Sequence, residues 1–217
     1  MEALLPFMVV LLGIGLAPFV AMMATSFAKV VIVLALLRQA LGLQQAPPNM
    51  VLNGIAIIIT IYVMAPVGMQ IGERMTERGM SLSSFTELEQ INSLYDLASS
   101  PMRNFLAEHA EMRDRRFFTR TAQTLWPERF AQNVRDTDML ILLPAFTVSE
   151  LTEAFRIGFV LFLAFVLVDL IVAIILVAFG MNMVSPTLIS VPFKVLLFVV
   201  LDGWARLLQG MIMGYHS

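Results

Sequence analysis

Two aspartates, Asp169 and Asp202, stand inside otherwise apolar runs. Paired aspartates in such surroundings are the equipment of an intramembrane aspartyl protease. Their contexts here are VDL and LDGW, without the glycine-rich motif expected around such an aspartate. The structural reading is the stronger one: an unpaired charge is costly in hydrocarbon, so each of these needs a partner. The turn GMNMVSP, residues 180–186, separates two apolar runs. With its apex near 182–183, Asp169 lies about 14 residues before it and Lys194 about 11 after, heights that differ by about one helical turn. A long lysine covers that difference, so Asp169 and Lys194 are predicted to pair. Asp202 and Arg206 are spaced i, i+4, also a pairing distance on a helix. Lys29 and Arg38 bracket the apolar VVIVLALL and make the same demand for partners.

Methionine is the other candidate for chemistry. M-x-M occurs at Met181/Met183 and again at Met211/Met213. Thioethers are soft ligands that select Cu(I), which raises a copper or small-solute membrane transporter as the alternative function. Against it, the chain has no cysteine, and His109 and His216 sit away from both motifs. Methionine is more often an adaptable filler of apolar interiors. There is no phosphate-cradling glycine loop, no H-E-x-x-H, and no serine with a histidine base nearby in sequence. Nothing here argues for an enzyme, a bound metal or a cofactor.

The elements that carry these residues follow from composition. Of 217 residues, 59% are apolar and 14% charged, against roughly half and a quarter in soluble domains. Mean hydropathy is +0.82. A net charge of −2 gives no reason to expect a nucleic-acid partner. Four apolar runs stand out, at 3–28, 50–69, 157–179 and 186–213, and about 20 residues of helix cross a bilayer core. The first lacks a basic leader and is too long for a cleaved signal peptide. Pro47-Pro48 breaks any helix there. Gly180 suits a helix C′ position and Ser185-Pro186 the next N-cap and first turn.

Residues 73–138 differ, with nine arginines and eleven acidic residues. Ser84-Phe85-Thr86-Glu87 reads as a capping box ahead of Leu88, Ile91, Leu94 and Ala98. Ser100-Pro101 reads as the start of a second helix carrying Met102, Leu106, His109 and Met112 on one stripe, ended by Trp126-Pro127. No strand-like alternation occurs, so the fold class is all-α. The chain divides into apolar helices at 1–72, a polar helical segment at 73–138, and an apolar hairpin with its Met-rich turn at 139–217. Glu2 before the first run, with Lys29 and Arg38 after it, favours an outside amino terminus. Four spans then put 70–138 outside the cytoplasm, although Arg74 and Arg78 argue the other way.

Three stretches are familiar. TSFAKVVIVLALLRQALGLQQAPPNMVLNGIAIIITIYVMAP (25–66), PAFTVSELTEAFRIGF (144–159) and VDLIVAIILVAFGMNMVSPTLISVPFKVLLFVVLDGW (168–204) resemble the FliP/SctR (YscR) family of type III secretion export-apparatus subunits. RRFFTRTAQTLWPE resembles the injectisome branch rather than the flagellar one. The resemblance implies a bacterial inner-membrane protein that passes unfolded secreted polypeptides. It implies five copies joined to a small two-helix subunit (SctS/FliQ-like) and a larger one (SctT/FliR-like) in a helical, pseudo-hexameric ring. A switch subunit (SctU/FlhB-like) docks on that gate, which stands largely above the membrane plane. It also implies a pore gasket at Met181, Asn182 and Met183. Deformable side chains of that kind close a narrow passage by excluding water. Two departures stand out. Ala164 replaces a usual proline, which puts a kink in the third long helix in doubt, and Asn182 replaces a methionine of the usual GMMM.

Overall fold

The computed structural model describes residues 4–79, 88–181 and 183–216. Among them all regular structure is helical: α1 (Leu4–Met23), α2 (Phe27–Ala40), α3 (Asn49–Glu77), α4 (Leu88–His109), α5 (Met112–Leu125), α6 (Glu128–Ala131), α7 (Met139–Ala178), α8 (Pro186–Val200) and α9 (Gly203–Met213). The fold is all-α.

The boundaries follow local chemistry. α2 ends at a left-handed Gly42 (φ 77°) and α3 begins directly after Pro47-Pro48. α7 ends at Gly180 (φ 70°), with Gly180 N–H bonded to Val177 O at 3.0 Å and Met181 N–H to Leu176 O at 2.9 Å. That pair of bonds is a Schellman ending, which only a residue tolerant of positive φ makes without strain. Ser185 and Pro186 open α8, but the Ser185 hydroxyl meets the Thr187 hydroxyl at 2.7 Å rather than capping a backbone N–H.

Several expectations change. Ser100-Pro101 does not start a helix: α4 runs through it and ends at His109. Leu97, Pro101, Phe105 and Leu106 are all buried along α4, and tertiary burial of that face overrides the proline's preference for a helix start. Met112 therefore belongs to α5, where it is exposed. The third apolar run is the latter part of a 40-residue helix, α7, which is unbroken at Ala164. The fourth run is two helices, α8 and α9, bent by 62°. Among the described residues two helices, α3 and α7, are long and apolar enough to cross a membrane, or three if α8 and α9 count as one, rather than four. The first run is shared between α1 and α2, because residues 24–26 leave the helix. The capping box at 84–87 lies outside the described residues.

The chain forms two compact units, Met1–Ala28 with Ile61–Glu150, and Lys29–Thr60 with Leu151–Ser217. In the first, Phe105 of α4 meets Phe146 of α7 with ring centroids 5.6 Å apart. The N-terminus of α5 is fixed there too: Ser149 donates to buried Asp114 at 2.8 Å and accepts from Glu111 N–H at 2.9 Å. In the second unit, Leu37, Ala40 and Leu41 of the α2 end pack with Phe165 of α7 and Phe198 of α8. Gly158 of α7 lies flush against Leu36 of α2, where any Cβ would collide with that leucine. The two helices thus approach closely between the stretch that joins Lys29 to Glu153 and the one where the α2 end meets Lys194 and Asp169.

Candidate functional site

The turn between α7 and α8 presents its methionines outward. Met183 is fully exposed and Met181 about half exposed, at 46%. Phe179 and Leu188, one on each side of the turn, are exposed as well. Val184 N–H bonds Met181 O at 3.2 Å, so the turn is tight and the methionine side chains are its tip. Asn182 lies outside the described residues. The tip offers unbranched, polarisable surface without a fixed shape, suited to contact with varied side chains. The second M-x-M is different: in α9 Met211 is buried and Met213 exposed, as two residues apart on a helix do not share a face.

Beside this hairpin the charges are organised. Lys194 is buried, and its Nζ donates to Asp169 Oδ2 at 2.5 Å and to the Ala40 carbonyl at 3.2 Å. The carbonyl is free to accept because Ala40 ends α2, where the last carbonyls have no helical partner. Asp169 and Lys194 line an open hollow of about 560 Å³ with Gln39 and Gln44. Lys29 is also enclosed, at 1% exposure; its Nζ donates to Glu153 Oε2 at 2.7 Å and lies 4.2 Å from the centre of the Tyr215 ring. Arg38 works on the loop after α2, donating to the Pro47 carbonyl at 3.1 Å and to Asn49 Oδ1 at 2.7 Å.

Asp202 and Arg206 do not form the ion pair their spacing suggested. Asp202 has left-handed backbone (φ 52°) at the α8–α9 bend, and both side chains are exposed. The link between them is the Arg206 N–H bonded to the Asp202 carbonyl at 3.1 Å. Because Asp202 is the residue before α9 rather than a member of a helix, the i, i+4 geometry does not apply to its side chain.

Sequence reasoning missed Glu153, Asn49 and Tyr215 as partners. Lys29 and Glu153 are 124 positions apart, so no local spacing could join them. The available signal was a second acid, in SELTEAF, close to the start of the third apolar run.

The chain matches the FliP family over residues 9–211. It is 49% identical over 208 residues to the hypersensitivity response secretion protein HrcR of Ralstonia nicotianae, covering 96% of this chain and 95% of that one. It is 47% identical over 207 residues to the Yop proteins translocation protein R of Yersinia pestis, covering 95% and 94%. To the virulence protein YscR of Salmonella typhimurium it is 37% identical over 206 residues, covering 95% and 94%. With the family match and these relatives extending over nearly its whole length, the chain belongs to the FliP family, in the injectisome SctR branch.

Proposed function

We propose that this chain is a pore-forming core subunit of a type III secretion export gate, and that Met181, Asn182 and Met183 from several copies form its seal. The broader role, a part in type III secretion, rests on the family and on relatives named for secretion and translocation. The finer reading is carried by one observation: Met183 and Met181 are exposed at the tip of an apolar hairpin whose sides are also exposed. A ring of such tips closes by excluding water and parts for a passing chain. The protein resides in the bacterial inner membrane, with 73–138 as a helical collar on the periplasmic side and 1–72 and 139–217 as the apolar segments. It works as about five copies with SctS/FliQ-like, SctT/FliR-like and SctU/FlhB-like partners, against membrane lipid. It transports unfolded proteins and catalyses no reaction. Lys29, Arg38, Asp169, Lys194, Asp202 and Arg206 serve assembly, some of them across subunit boundaries.

The test is a gate carrying Met181→Ala with Met183→Ala at normal complex levels. Small-solute uptake or conductance rises while secretion is partly kept. Replacement of both by phenylalanine slows secretion without leakage. Unchanged permeability in the double-alanine gate leaves the methionines as turn packing and removes the seal. A cysteine at Ser99 reacts with a membrane-impermeant reagent from the periplasm; labelling from the cytoplasm alone overturns the orientation.

A further inference from the structure

The arginines of α5 divide into two kinds. Arg115 is used by the fold: it donates to the Ala107 carbonyl at 3.2 Å and to Asp136 at 2.9 Å. Arg113 touches Asp114 at 3.3 Å and Glu111 at 3.8 Å while staying largely exposed. Arg116 and Arg120 are exposed and take part in none of the ion pairs among the described residues. They stand one helical turn apart, where like charges repel. They form a ridge between two open hollows. One, of about 770 Å³, is shared with Arg113, Phe117, Thr124 and Leu125, and both Phe117 and Leu125 are exposed. The other, of about 490 Å³, contains Asp136, but that carboxylate is already held by Arg115. The same compact unit carries the complement on another helix. Glu73 and Glu77, in the last turns of α3, are exposed and enter none of these ion pairs either. Among the exposed acids of the described residues, these two share a helix at the spacing of the arginines. Met69, one turn earlier, is exposed as well. Arg74 and Arg78 lie about 100° further round the helix, which leaves the Glu73–Glu77 row acidic.

Equal spacing lets both charge pairs close at once when two such helices lie side by side. With the helices antiparallel, Glu73 meets Arg120 and Glu77 meets Arg116. The same register sets Met69 against Thr124 and beside Leu125. It also brings Arg113 to the C-terminal end of α3, where a cation is favoured. Parallel helices would keep the charge pairs but leave Leu125 beyond the α3 end and Arg113 away from it. We propose that the Glu73–Glu77 row of one copy docks antiparallel on the Arg113–Arg116–Arg120 face of α5 in a second copy of this chain. The two surfaces differ, so each copy offers one and receives the other, and a repeated contact of this kind closes into a ring. The contact rests on the reading that several copies build the gate, and it is separate from the methionine seal.

The test produces two differently tagged full-length copies together with the other export subunits and oxidises them in the assembled complex; the chain has no cysteine of its own. One copy carries Glu77→Cys and the other Arg116→Cys. A disulfide-linked product bearing both tags is expected. Met69→Cys should link to Thr124→Cys and not to Met112→Cys, which fixes the antiparallel direction. Association of two dye-tagged pools of purified chain in detergent is then followed by fluorescence transfer. Arg116→Glu/Arg120→Glu should weaken it roughly 5- to 25-fold, since each exposed ion pair contributes up to about a factor of five. Glu73→Arg/Glu77→Arg should do the same, and the four changes in one chain should restore association, which separates a lost contact from a lost fold. Complexes of normal mass without the two-tag product overturn this contact and leave the gate subunit standing. A parent chain that forms no assembly of its own copies overturns both. A loss in Arg116→Glu/Arg120→Glu that the acidic row's reversal does not restore assigns the arginines to a different acidic partner and removes self-docking.

Discussion

Asp169 and Lys194 on one side, and Asp202 and Arg206 on the other, are two charge pairs set in one apolar hairpin, and the chain treats them in opposite ways. In the first the lysine is buried and held by a carboxylate at 2.5 Å and a helix-end carbonyl at 3.2 Å. In the second both charges are exposed at a bend and are joined by the backbone alone. Lys29 follows the first pattern, with Glu153 at 2.7 Å and the Tyr215 ring at 4.2 Å. A charge inside an apolar run thus has two meanings. Either a distant element supplies its partner, or the run is broken there and the charge marks the break.

The paired sites are asymmetric, and the largest effects should follow that asymmetry. In each, the lysine is enclosed while the acid is partly open, with side-chain exposures of 6% against 36% for Lys194 and Asp169, and 1% against 46% for Lys29 and Glu153. Removing the acid strands an enclosed cation; replacing the lysine by methionine leaves a partly open carboxylate, although Oδ1 of Asp169 is buried without a hydrogen-bond partner. Asp169→Ala should cost about 3 kcal/mol or more, and Lys194→Met less, read as thermal unfolding midpoints of the purified subunit in detergent. Equal losses in the two variants would show that the pair, rather than the stranded lysine, sets the cost. Yield of intact complex should fall more than expression in both, and wild-type yields would remove the assembly role.

Lys29 should show the same order with a smaller gap. The Tyr215 ring continues to stabilise the cation when Glu153 is neutralised, by about 2 kcal/mol at a desolvated site. Glu153→Gln is therefore expected to destabilise by about 2 kcal/mol. Glu153→Gln with Tyr215→Leu should destabilise by more than the sum of the single changes. Additive losses would mean that the ring and the carboxylate act independently on Lys29.

The close approach of α2 and α7 underlies both lysine sites. Gly158→Ala places a methyl group into Leu36, an overpacking cost of about 1–3 kcal/mol. Leu36→Ala in the same chain should recover much of it. If Gly158→Ala alone is neutral, the helices have slack, and contact at Gly158 does not fix the positions of Glu153 and Asp169.

These residues also show what the sequence makes readable. Helix class, the Gly180 ending, the Ser185-Pro186 start and the Asp169–Lys194 pair follow from short-range rules: a left-handed C′ residue, a proline at a first turn, and heights about a hairpin that one long lysine can bridge. The partners of Lys29 are not readable this way, because Glu153 and Tyr215 are brought to it by tertiary packing over long separations. Pro101 misled for the same reason: the buried row Leu97, Pro101, Phe105 and Leu106 holds α4 continuous, and no rule for a single residue contains that row. The α8–α9 bend was hidden because LDGW keeps the run apolar while Asp202 takes a left-handed backbone. The methionine tip was legible as a tight turn, and its exposure is what the fold adds.

The bend gives the smallest effects and the sharpest check on the contrast. If Asp202 were paired with Arg206, Arg206→Gln would leave a carboxylate without its partner. With both exposed and unpaired, the change should stay within about 0.5 kcal/mol, as surface substitutions do. The backbone at Asp202 makes the complementary demand. A left-handed residue costs roughly 1–2 kcal/mol for most L side chains, and glycine avoids that cost. Asp202→Gly should accordingly be neutral or slightly stabilising, whereas Asp202→Val should destabilise, since a branched Cβ fits that backbone worst. Thermal unfolding of the three variants in one detergent decides the matter. A loss in Arg206→Gln matched by a loss in Asp202→Gly would restore the ion pair; a loss confined to Asp202→Val would fix the role of Asp202 as a backbone turn between α8 and α9.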